Sequence, residues 1–380
     1  MKELNETRKE IDAVDQELVK LYLKRLDLCG EVAEAKKSSG KKVFDSAREN
    51  EILYRVTEDV PEKFRLYVKE LYTAIFGASK AYQTSIIGRT SPTVERIEEI
   101  IKSGLPALPN RAAVACQGVK GANSGTACNK LFPICDITYF KTFDGVFSAV
   151  DKGLCEYGIL PIENSTAGSV NEVYDLMKKY NFHIVRSVRL PIEHCLAGVP
   201  GAKKESVKKV LSHPQALNQC AEYLKKMKVE TESAENTATA AKTVSETDDK
   251  TIAVLCSPEC AELYGLTVLD RSVQDADKNY TRFICIGKEL QIFSGSDKIS
   301  IMTALSHKPG SLNSILMKFS SLGLNLTKIE SRPIMGTDFE FMFYFDFEGD
   351  ITGEDTLQLI AELESNSDKF VFLGSYKEVI

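Results

Sequence analysis

Long apolar runs are missing from this sequence of 380 residues. No stretch approaches the ~18 consecutive apolar residues that a membrane span requires. The N-terminal segment MKELNETRKE is charged and contains no apolar signal core. The chain also lacks long blocks of Lys or Arg, and its formal net charge of −6 argues against nucleic acid or a membrane surface as a partner. We therefore expect a cytoplasmic protein with no membrane partner and no nucleic-acid partner.

The C-x-x-C pairs typical of zinc sites are also missing, although the chain has ten cysteines. These cysteines are spread from Cys29 to Cys285, which is typical of reduced, buried thiols in a cytosolic protein. The glycine-rich segment at 117–125 lacks both the Gly-Lys-Ser/Thr of a Walker A loop and the spacing of a dinucleotide fingerprint. The sequence therefore predicts neither a metal site nor a bound cofactor.

Composition and periodicity divide the chain into several regions, as expected for a chain longer than the ~250–300 residues of a single core. Residues 1–86 contain a single proline and show helical spacing of apolar side chains, which predicts an all-helical domain. Residues 87–110 contain Ser91-Pro92 and the run Leu105-Pro-Ala-Leu-Pro109, and are interpreted as a linker with a short helix over 94–102. Residues 111–289 alternate strands and helices, which predicts an α/β domain with a parallel or mixed sheet. Residues 297–376 follow a βαββαβ order, which predicts a small ferredoxin-like α+β unit.

The helical region is predicted to form helices over residues 4–37, 45–58 and 61–82, with Asp45 as the N-cap of the second. The first helix would be roughly 50 Å long, and a helix of this length is unstable without partners along it. The two shorter helices can cover only part of it. We therefore expect self-association to cover the remainder.

Cationic side chains recur on the first helix. Arg25 and Lys36 are 11 positions apart and share one face, where they could bracket a small dianion. Arg8 precedes Arg25 by 17 positions, about 25 Å, so it could reach the same ligand only from an antiparallel partner subunit. Spacing alone is also compatible with a merely solvated helix face.

This arrangement resembles the all-helical chorismate mutase family. The resemblance covers residues 4–83 and rests on the segments around Arg8, Arg25, Lys36 and Asp45-Ser-Ala-Arg48-Glu49. It implies an intertwined homodimer in which Arg8 of one chain and Arg25 of the other hold the two carboxylates of chorismate. In the implied site Lys36 and Gln83 donate to the ether oxygen, Glu49 orients the ring hydroxyl, and Asp45, Arg48 and Ser79 complete the shell.

In the α/β region, polar clusters at 117–124, 163–169, 212–215 and 256–259 follow strands and precede helices. Ligands of open α/β sheets bind at such strand ends, although Ser, Asn and Thr before a helix are also ordinary caps. Together with the segment Asn279-Tyr-Thr-Arg-Phe283, the clusters resemble prephenate dehydratase over residues 111–289. The resemblance implies two α/β lobes, like a periplasmic binding protein, with the site in the cleft and Thr281 as the key catalytic hydroxyl. The implied substrate-positioning residues are Glu163, Asn164, Ser165, Thr166, Ser212, Gln215, Gln219 and Arg282.

The C-terminal unit resembles an ACT regulatory domain through His307-Lys-Pro-Gly310-Ser-Leu312 and Glu330-Ser-Arg-Pro333. The resemblance implies phenylalanine as an allosteric effector, bound at an interface between two such units. We also expect that removing residues 297–380 leaves the dehydratase active. The implied effector-binding residues are Gly310, Ser311, Leu312, Glu330, Ser331, Arg332 and Pro333.

The sequence thus predicts a bifunctional enzyme of phenylalanine biosynthesis, a homodimer or dimer of dimers, that converts chorismate to prephenate and then to phenylpyruvate under feedback by phenylalanine. Two alternatives stay open at this point. Arogenate could be the dehydratase substrate, or the chain could be a non-catalytic amino-acid sensor.

Overall fold

The computed structural model describes residues 4–39, 45–87, 91–276, 279–305, 310–334, 341–367 and 369–380. Its N-terminal region is helical as predicted, with α1 (Leu4–Ser39), α2 (Ser46–Glu58) and α3 (Glu62–Ile87). Asp45 is the N-cap of α2, because its Oδ1 accepts the backbone N–H of Arg48 at 3.0 Å. The predicted single long first helix is confirmed.

Most apolar side chains of α1 are not buried by other described residues of the chain. Along this fully described helix only Ala33 is buried, whereas Val14 and Leu21 are 63% and 65% exposed. The C-terminal half of α1 lies beside α3, where Lys37 Nζ donates to the carbonyl of Ile86 at 3.2 Å. The N-terminal half therefore presents an apolar surface that nothing in the described part of the chain covers.

The next segment begins with α4 (Pro92–Lys102), which matches the short helix predicted in the linker. Its Ile97 is fully buried in a core shared with the C-terminal unit. Thr93 Oγ1 also donates to Glu364 Oε1 at 2.6 Å. The segment predicted as a linker therefore packs against the C-terminal unit over this helix.

The α/β region contains alternating strands and helices, as predicted, and has more of both than the sequence analysis identified. In chain order these are β1 (Arg111–Gln117), α5 (Asn123–Leu131), β2 (Ile134–Phe140), α6 (Phe143–Asp151), β3 (Tyr157–Asn164), β4 (Gly168–Ser169), α7 (Asn171–Tyr180), β5 (His183–Pro191), β6 (Cys195–Gly198), a 3₁₀ turn (Lys204–Ser206), β7 (Lys209–Ser212), α8 (Pro214–Gln219), α9 (Ala221–Met227), β8 (Glu230–Ser233), α10 (Thr237–Ser245), β9 (Ile252–Cys256), α11 (Pro258–Leu263), β10 (Thr267–Asp270) and β11 (Tyr280–Gly287). The C-terminal elements are β12 (Lys298–Leu305), α12 (Ser311–Ser321), β13 (Asn325–Pro333), β14 (Phe341–Glu348), α13 (Glu354–Asn366), β15 (Phe370–Tyr376) and β16 (Glu378–Val379).

The α/β strands form two mixed sheets, which make the two lobes. The first has the order β16-β5-β11-β3-β1-β2, with β4 paired to β3, and the second has the order β10-β6-β9-β7-β8. In the first sheet β1, β2 and β3 are parallel, and β11 runs antiparallel between β3 and β5. The chain crosses between lobes after β5 and returns before β11, so the ends of β3 and β11 lie where the lobes meet.

The C-terminal strands form an antiparallel sheet in the order β13-β14-β12-β15, and the predicted βαββαβ order is confirmed. One face of this sheet packs against α12 and α13. From the other face, Met302 and Tyr344 enter the same core as Tyr174 of the α/β region. The last strand, β16, pairs in parallel with β5 of the first lobe. The C-terminal unit therefore shares a core and a sheet with the α/β region.

At Gly374, β15 passes close to β5 of the α/β region. The φ of this glycine, +147°, is one that L side chains rarely adopt, and a Cβ there would lie 2.2 Å from the carbonyl oxygen of Ile184 on β5. A glycine is therefore required for β15 to pass β5 at this distance. Within the described residues, no helix is both long and apolar enough to span a bilayer.

Candidate active sites

Asn164, the last residue of β3, organises the cluster around Thr281. Its Oδ1 accepts the backbone N–H groups of Thr166 and Ala167 at 3.0 and 2.9 Å, which fixes the orientation of the amide. Its Nδ2 therefore faces β11 and donates to Thr281 Oγ1 at 2.9 Å. Because the Thr281 oxygen accepts this bond, the hydrogen of its hydroxyl is left to donate to an acceptor in the cleft. Nδ2 also donates to Asn279 Oδ1 at 2.9 Å.

A chain of hydrogen bonds continues from Asn164 into the second lobe. Thr166 Oγ1 donates to Asn164 Oδ1 at 2.7 Å and accepts from Gln219 Nε2 of α8 at 3.0 Å. Gln219 Oε1 then lies 2.9 Å from His194 Nε2, so this ring nitrogen carries the hydrogen. Burial lowers the pKa of His194, which agrees with a neutral ring. The chain of bonds therefore links both lobes to Thr281.

Sequence reasoning missed His194 and Asn279 as parts of this cluster. His194 lies in the segment that joins β5 to β6, and Asn279 opens the motif that contains Thr281. Only the motif could have drawn attention to Asn279. The position of His194 depends on the crossing between lobes, which no local pattern reveals.

Other residues predicted for the cleft lie around the cluster in less direct positions. Ser165, which follows β3, bonds to β11, because its Oγ accepts the backbone N–H of Tyr280 at 2.9 Å. Ser212 is fully buried and donates to the carbonyl of Leu255 at 2.7 Å, which ties β7 to β9. Gln215 lies half-buried in the first turn of α8, where His213 Nδ1 accepts its N–H at 3.2 Å.

Glu163 and Arg282 are turned away from Thr281. Glu163 Oε1 lies 3.0 Å from Lys328 Nζ on β13. Arg282 is buried and forms an ion pair with Asp346 on β14. The structure therefore brings Asn164, Thr166 and Gln219 to Thr281, and places Glu163 and Arg282 against the C-terminal unit.

In the helical region, Arg25 of α1 meets α3. Its Nη1 donates to Ser79 Oγ, and its guanidinium carbon lies 5.9 Å from the centroid of the Phe76 ring. Gln83 follows Ser79 by one turn and is buried, and its Oε1 has no hydrogen-bond partner among the described residues. Arg25 and Ser79 thus link α1 to α3, and Gln83 lies one helical turn further along α3.

The remaining predicted residues of the helical site lie on α1 and α2. Glu49 of α2 forms an ion pair with Lys80 of α3 at 3.0 Å, whereas Arg48 bonds to Glu51 on its own helix at 2.7 Å. Lys36 lies in the last turn of α1. Because α1 is one continuous helix, Arg8 stays about 25 Å from Arg25 within the chain.

The two C-terminal motifs end strands at the same edge of the sheet. Leu305 of β12 and Pro333 of β13 both pair with Phe341 of β14. Gly310 is the N-cap of α12 with a φ of +86°, which favours glycine. Residues 307–309 of the first motif lie outside the described residues. Among the motif side chains, Leu312 packs partly buried in the C-terminal core and Ser331 is exposed.

The side chains of Glu330 and Arg332 contact the α/β region. Glu330 Oε2 accepts from Ser169 Oγ at 2.6 Å, and Arg332 Nη2 donates to Asp175 Oδ2 at 2.9 Å. Both bonds cross from β13 to the segment formed by β4 and α7. The second predicted effector motif therefore lies directly on the first α/β lobe.

The fold and the sites define a class of multidomain enzyme, in which a two-lobed α/β unit with a cleft of hydroxyls and amides is joined to a helical unit with a cationic patch. In the described part of the chain, His, Cys, Asp and Glu do not form groups of three or more that could hold a metal ion. Comparison with protein families gives two matches, chorismate mutase type II over residues 7–84 and prephenate dehydratase over residues 114–291.

Two of the similar known proteins are named as prephenate dehydratases, in agreement with the second match. The arogenate dehydratase/prephenate dehydratase 1 of Arabidopsis thaliana, named as chloroplastic, is 38% identical over 283 residues, which cover 70% of this chain and 72% of the relative. The solved structure of prephenate dehydratase from Arthrobacter aurescens in complex with L-Phe is 28% identical with a TM-score of 0.64, and the match covers 70% of this chain and 89% of that one. A structure described as a novel type of quorum-quenching acylase is 29% identical with a TM-score of 0.64, covering 70% of this chain and 97% of that one.

The chain belongs to the prephenate dehydratase family and carries a chorismate mutase domain of type II at its N-terminus. It is therefore an enzyme with both activities, which sets aside the interpretation as a non-catalytic sensor.

Proposed function

We propose that the chain converts chorismate to phenylpyruvate in two steps, with prephenate as the intermediate. The observation that carries the proposal is the presence of both enzyme domains in one chain. The product of the mutase is prephenate, so prephenate is the substrate that the second domain meets first. Arogenate is the second candidate, because the Arabidopsis relative is named for both substrates. We place the reaction in the cytoplasm.

In the proposed mutase step the site folds an extended dianion into its reactive conformer. The reaction is an intramolecular rearrangement and needs no nucleophile, so orientation supplies much of its acceleration. Arg25, held by Ser79, would bind one carboxylate, and Arg8 of the partner subunit would bind the other. Lys36 and Gln83 would donate to the ether oxygen as the C–O bond breaks and negative charge develops there.

In the proposed dehydratase step the ring of prephenate becomes aromatic. The C–C bond to the leaving carboxylate breaks and its electron pair enters the ring, while the C–O bond breaks with its pair on the departing hydroxyl. That oxygen takes up one proton, so the products are phenylpyruvate, carbon dioxide and water. The Thr281 hydroxyl, which accepts from Asn164, would donate a hydrogen bond to the departing oxygen. A threonine hydroxyl is a weak acid, so we favour donation or relay of a solvent proton.

The decisive experiment gives the purified full-length chain chorismate alone and then compares prephenate with arogenate. We expect phenylpyruvate from chorismate, and a kcat/KM for prephenate at least about ten-fold above that for arogenate. The Lys36→Ala variant serves as the control. It should form no phenylpyruvate from chorismate but should still convert added prephenate. A preference for arogenate would overturn the assignment of the substrate.

Phenylalanine is the proposed feedback inhibitor, bound at the C-terminal unit where two copies of the chain meet. The N-terminus of α12 offers backbone N–H groups to a carboxylate, and Gly310 adds no side chain there. Glu330 and Arg332 lie at the same edge of the sheet and bond to the dehydratase lobe, so an effector that engages them would disturb those bonds. We expect a coupling of about 1–3 kcal/mol between effector and dehydratase substrate.

Two glycines at the ends of α12 allow a matched test of this proposal. Gly310 and Gly323 both have positive φ values, +86° and +66°, and a Cβ added to either residue would meet none of the described atoms within 4 Å. Gly310→Ala and Gly323→Ala should therefore cost similar backbone strain. Only Gly310→Ala should weaken phenylalanine binding in calorimetry, by about ten-fold or more. Equal affinities in the two variants would remove Gly310 from the effector site.

A further inference from the structure

Arg282, next to Thr281 on β11, is a buried cation whose side chain ends at the C-terminal unit. It is 8% exposed, and its Nη2 donates to Asp346 Oδ2. Its Nη1 lies 3.9 Å from Glu378, and its Nε lies 3.8 Å from Glu163 without a hydrogen-bond partner among the described residues. A charge this deeply buried needs a close anion, and Asp346 provides the only hydrogen bond that the described residues show for it.

The side chain of Asp346 is oriented by a hydrogen bond of its own. It is 9% exposed, and Ser300 Oγ donates to its Oδ1 at 2.6 Å. Burial alone would raise the pKa of Asp346, but the charge of Arg282 and the bond from Ser300 outweigh it and leave the pKa below its usual range. The carboxylate is therefore ionised, and Arg282 and Asp346 form a buried ion pair.

The pair joins the active-site strand at an irregularity in its pairing. The register between β11 and β3 shifts between Arg282, which faces Glu163, and Phe283, which faces Pro161. Such bulges redirect neighbouring side chains and occur beside active sites. Successive side chains of a strand point to opposite faces, so a displacement of the anchored Arg282 would also change how the Thr281 hydroxyl faces the cleft.

We propose that Asp346 of the C-terminal unit is a positioning residue for the dehydratase reaction, which anchors Arg282 and thereby keeps the Thr281 hydroxyl aligned with Asn164. The inference rests on the role proposed above for Thr281. It gives the C-terminal unit a second task besides effector binding, because one of its side chains completes the support of the dehydratase site.

The test uses Asp346→Asn in the full-length chain. We expect kcat with prephenate to fall roughly ten-fold while KM changes by less than about two-fold, because a misplaced hydroxyl weakens transition-state contacts more than substrate binding. Mutase activity of the same protein should be unchanged. The matched control is Tyr344→Phe, which removes the 2.9 Å bond from Tyr344 to the carbonyl of Tyr174 between the same two units but leaves Arg282 untouched. This control should keep its kcat.

Two further variants distinguish positioning of Arg282 by Asp346 from a general loosening of the contact between the C-terminal unit and the α/β region. If Asp346 acts through Arg282, adding Asp346→Asn to Arg282→Gln should lower kcat no further. Ser300→Ala keeps the ion pair and removes the bond that orients Asp346, together with the 2.7 Å bond between Ser300 Oγ and the Tyr376 hydroxyl. It covers the case in which Asp346→Asn does not fold. It should lower kcat about three-fold at unchanged KM.

An unchanged kcat in folded Asp346→Asn, or in Ser300→Ala if Asp346→Asn does not fold, overturns the inference. So do an equal loss in Tyr344→Phe and additive losses in the double variant. Thr281→Ala is measured in parallel. If it keeps full activity, the role proposed for Thr281 fails and this inference fails with it, whereas an inactive Thr281→Ala beside a normal Asp346→Asn refutes the inference alone.

Discussion

At the residue scale, the proposed dehydratase site shows that strand geometry places residues adjacent in the sequence on opposite faces of the sheet. Glu163 and Asn164 are adjacent on β3, and Thr281 and Arg282 are adjacent on β11. Because side chains alternate between the faces of a strand, only one member of each pair can face the cleft. Asn164 and Thr281 bond to each other, whereas Glu163 and Arg282 form ion pairs with residues of the C-terminal unit. The family motif contains both kinds of residue and does not distinguish them.

Asn164→Asp tests the direction of the hydrogen bond to Thr281. The substitution keeps the oxygen that accepts from Thr166 and Ala167 but replaces the donor by a second acceptor. The Thr281 hydroxyl would then donate to the new carboxylate and have no hydrogen left for the departing oxygen. We expect kcat with prephenate to fall by about 10²-fold or more in steady-state assays.

Asn279→Asp is the control for this prediction. At this position only the oxygen is used, since it accepts from Asn164, and Nδ2 has no partner among the described residues. The same change of amide to carboxylate should therefore lower kcat much less. Similar losses in both variants would show that added charge, and not bond direction, reduces the activity.

At the element scale, α1 is longer than the part of it that packs against other helices. Its C-terminal half packs against α3, and apolar residues of its N-terminal half, such as Ile11, Val14 and Leu18, are more than half exposed. Burying them would be favourable by roughly 25 cal/mol per Å² of apolar surface. The same half carries Arg8, which the helix keeps away from Arg25. Both observations favour pairing of α1 with a second copy of the chain.

Mixing two inactive variants tests whether α1 completes its site in a partner. Arg8→Ala and Arg25→Ala should each abolish most mutase activity, because each removes a carboxylate contact from both sites of a homodimer. A heterodimer of the two variants would contain one site with both arginines intact. We expect the mixture to recover up to about half of the activity per heterodimer. Heterodimers that form without recovering activity would contradict a shared site.

At the scale of the whole molecule, the domains differ in how independent they are. The α/β region and the C-terminal unit share one buried core, to which Tyr174 and Tyr344 both belong. In addition, β16 extends the sheet of the first lobe. The described members of the buried cores begin at Val94, so α1–α3 lie outside them. The expectation that residues 297–380 can be removed without loss of dehydratase activity conflicts with this shared core.

Two deletions test whether the helical region and the C-terminal unit differ in how much the α/β region depends on them. Removing residues 1–90 should leave a folded chain whose dehydratase kcat changes by less than about three-fold. Removing residues 297–380 should expose the apolar surface around Tyr174, leave Arg282 without Asp346, and give an aggregated or inactive protein. Size-exclusion chromatography and prephenate turnover report both outcomes. A monodisperse and active product of the second deletion would show that the shared core is dispensable.

The sequence by itself determined the three helices with the Asp45 cap, the alternation of strands and helices, the βαββαβ order and the family of the chain. These depend on local periodicity and on motifs of consecutive residues, which a sequence displays directly. The tertiary structure decided the pairing of Arg282 with Asp346, the bond from His194 to Gln219 and the insertion of β16 beside β5. Each of these joins residues far apart in the chain, and its energy comes from burial and charge pairing that exist only once the sheets have packed.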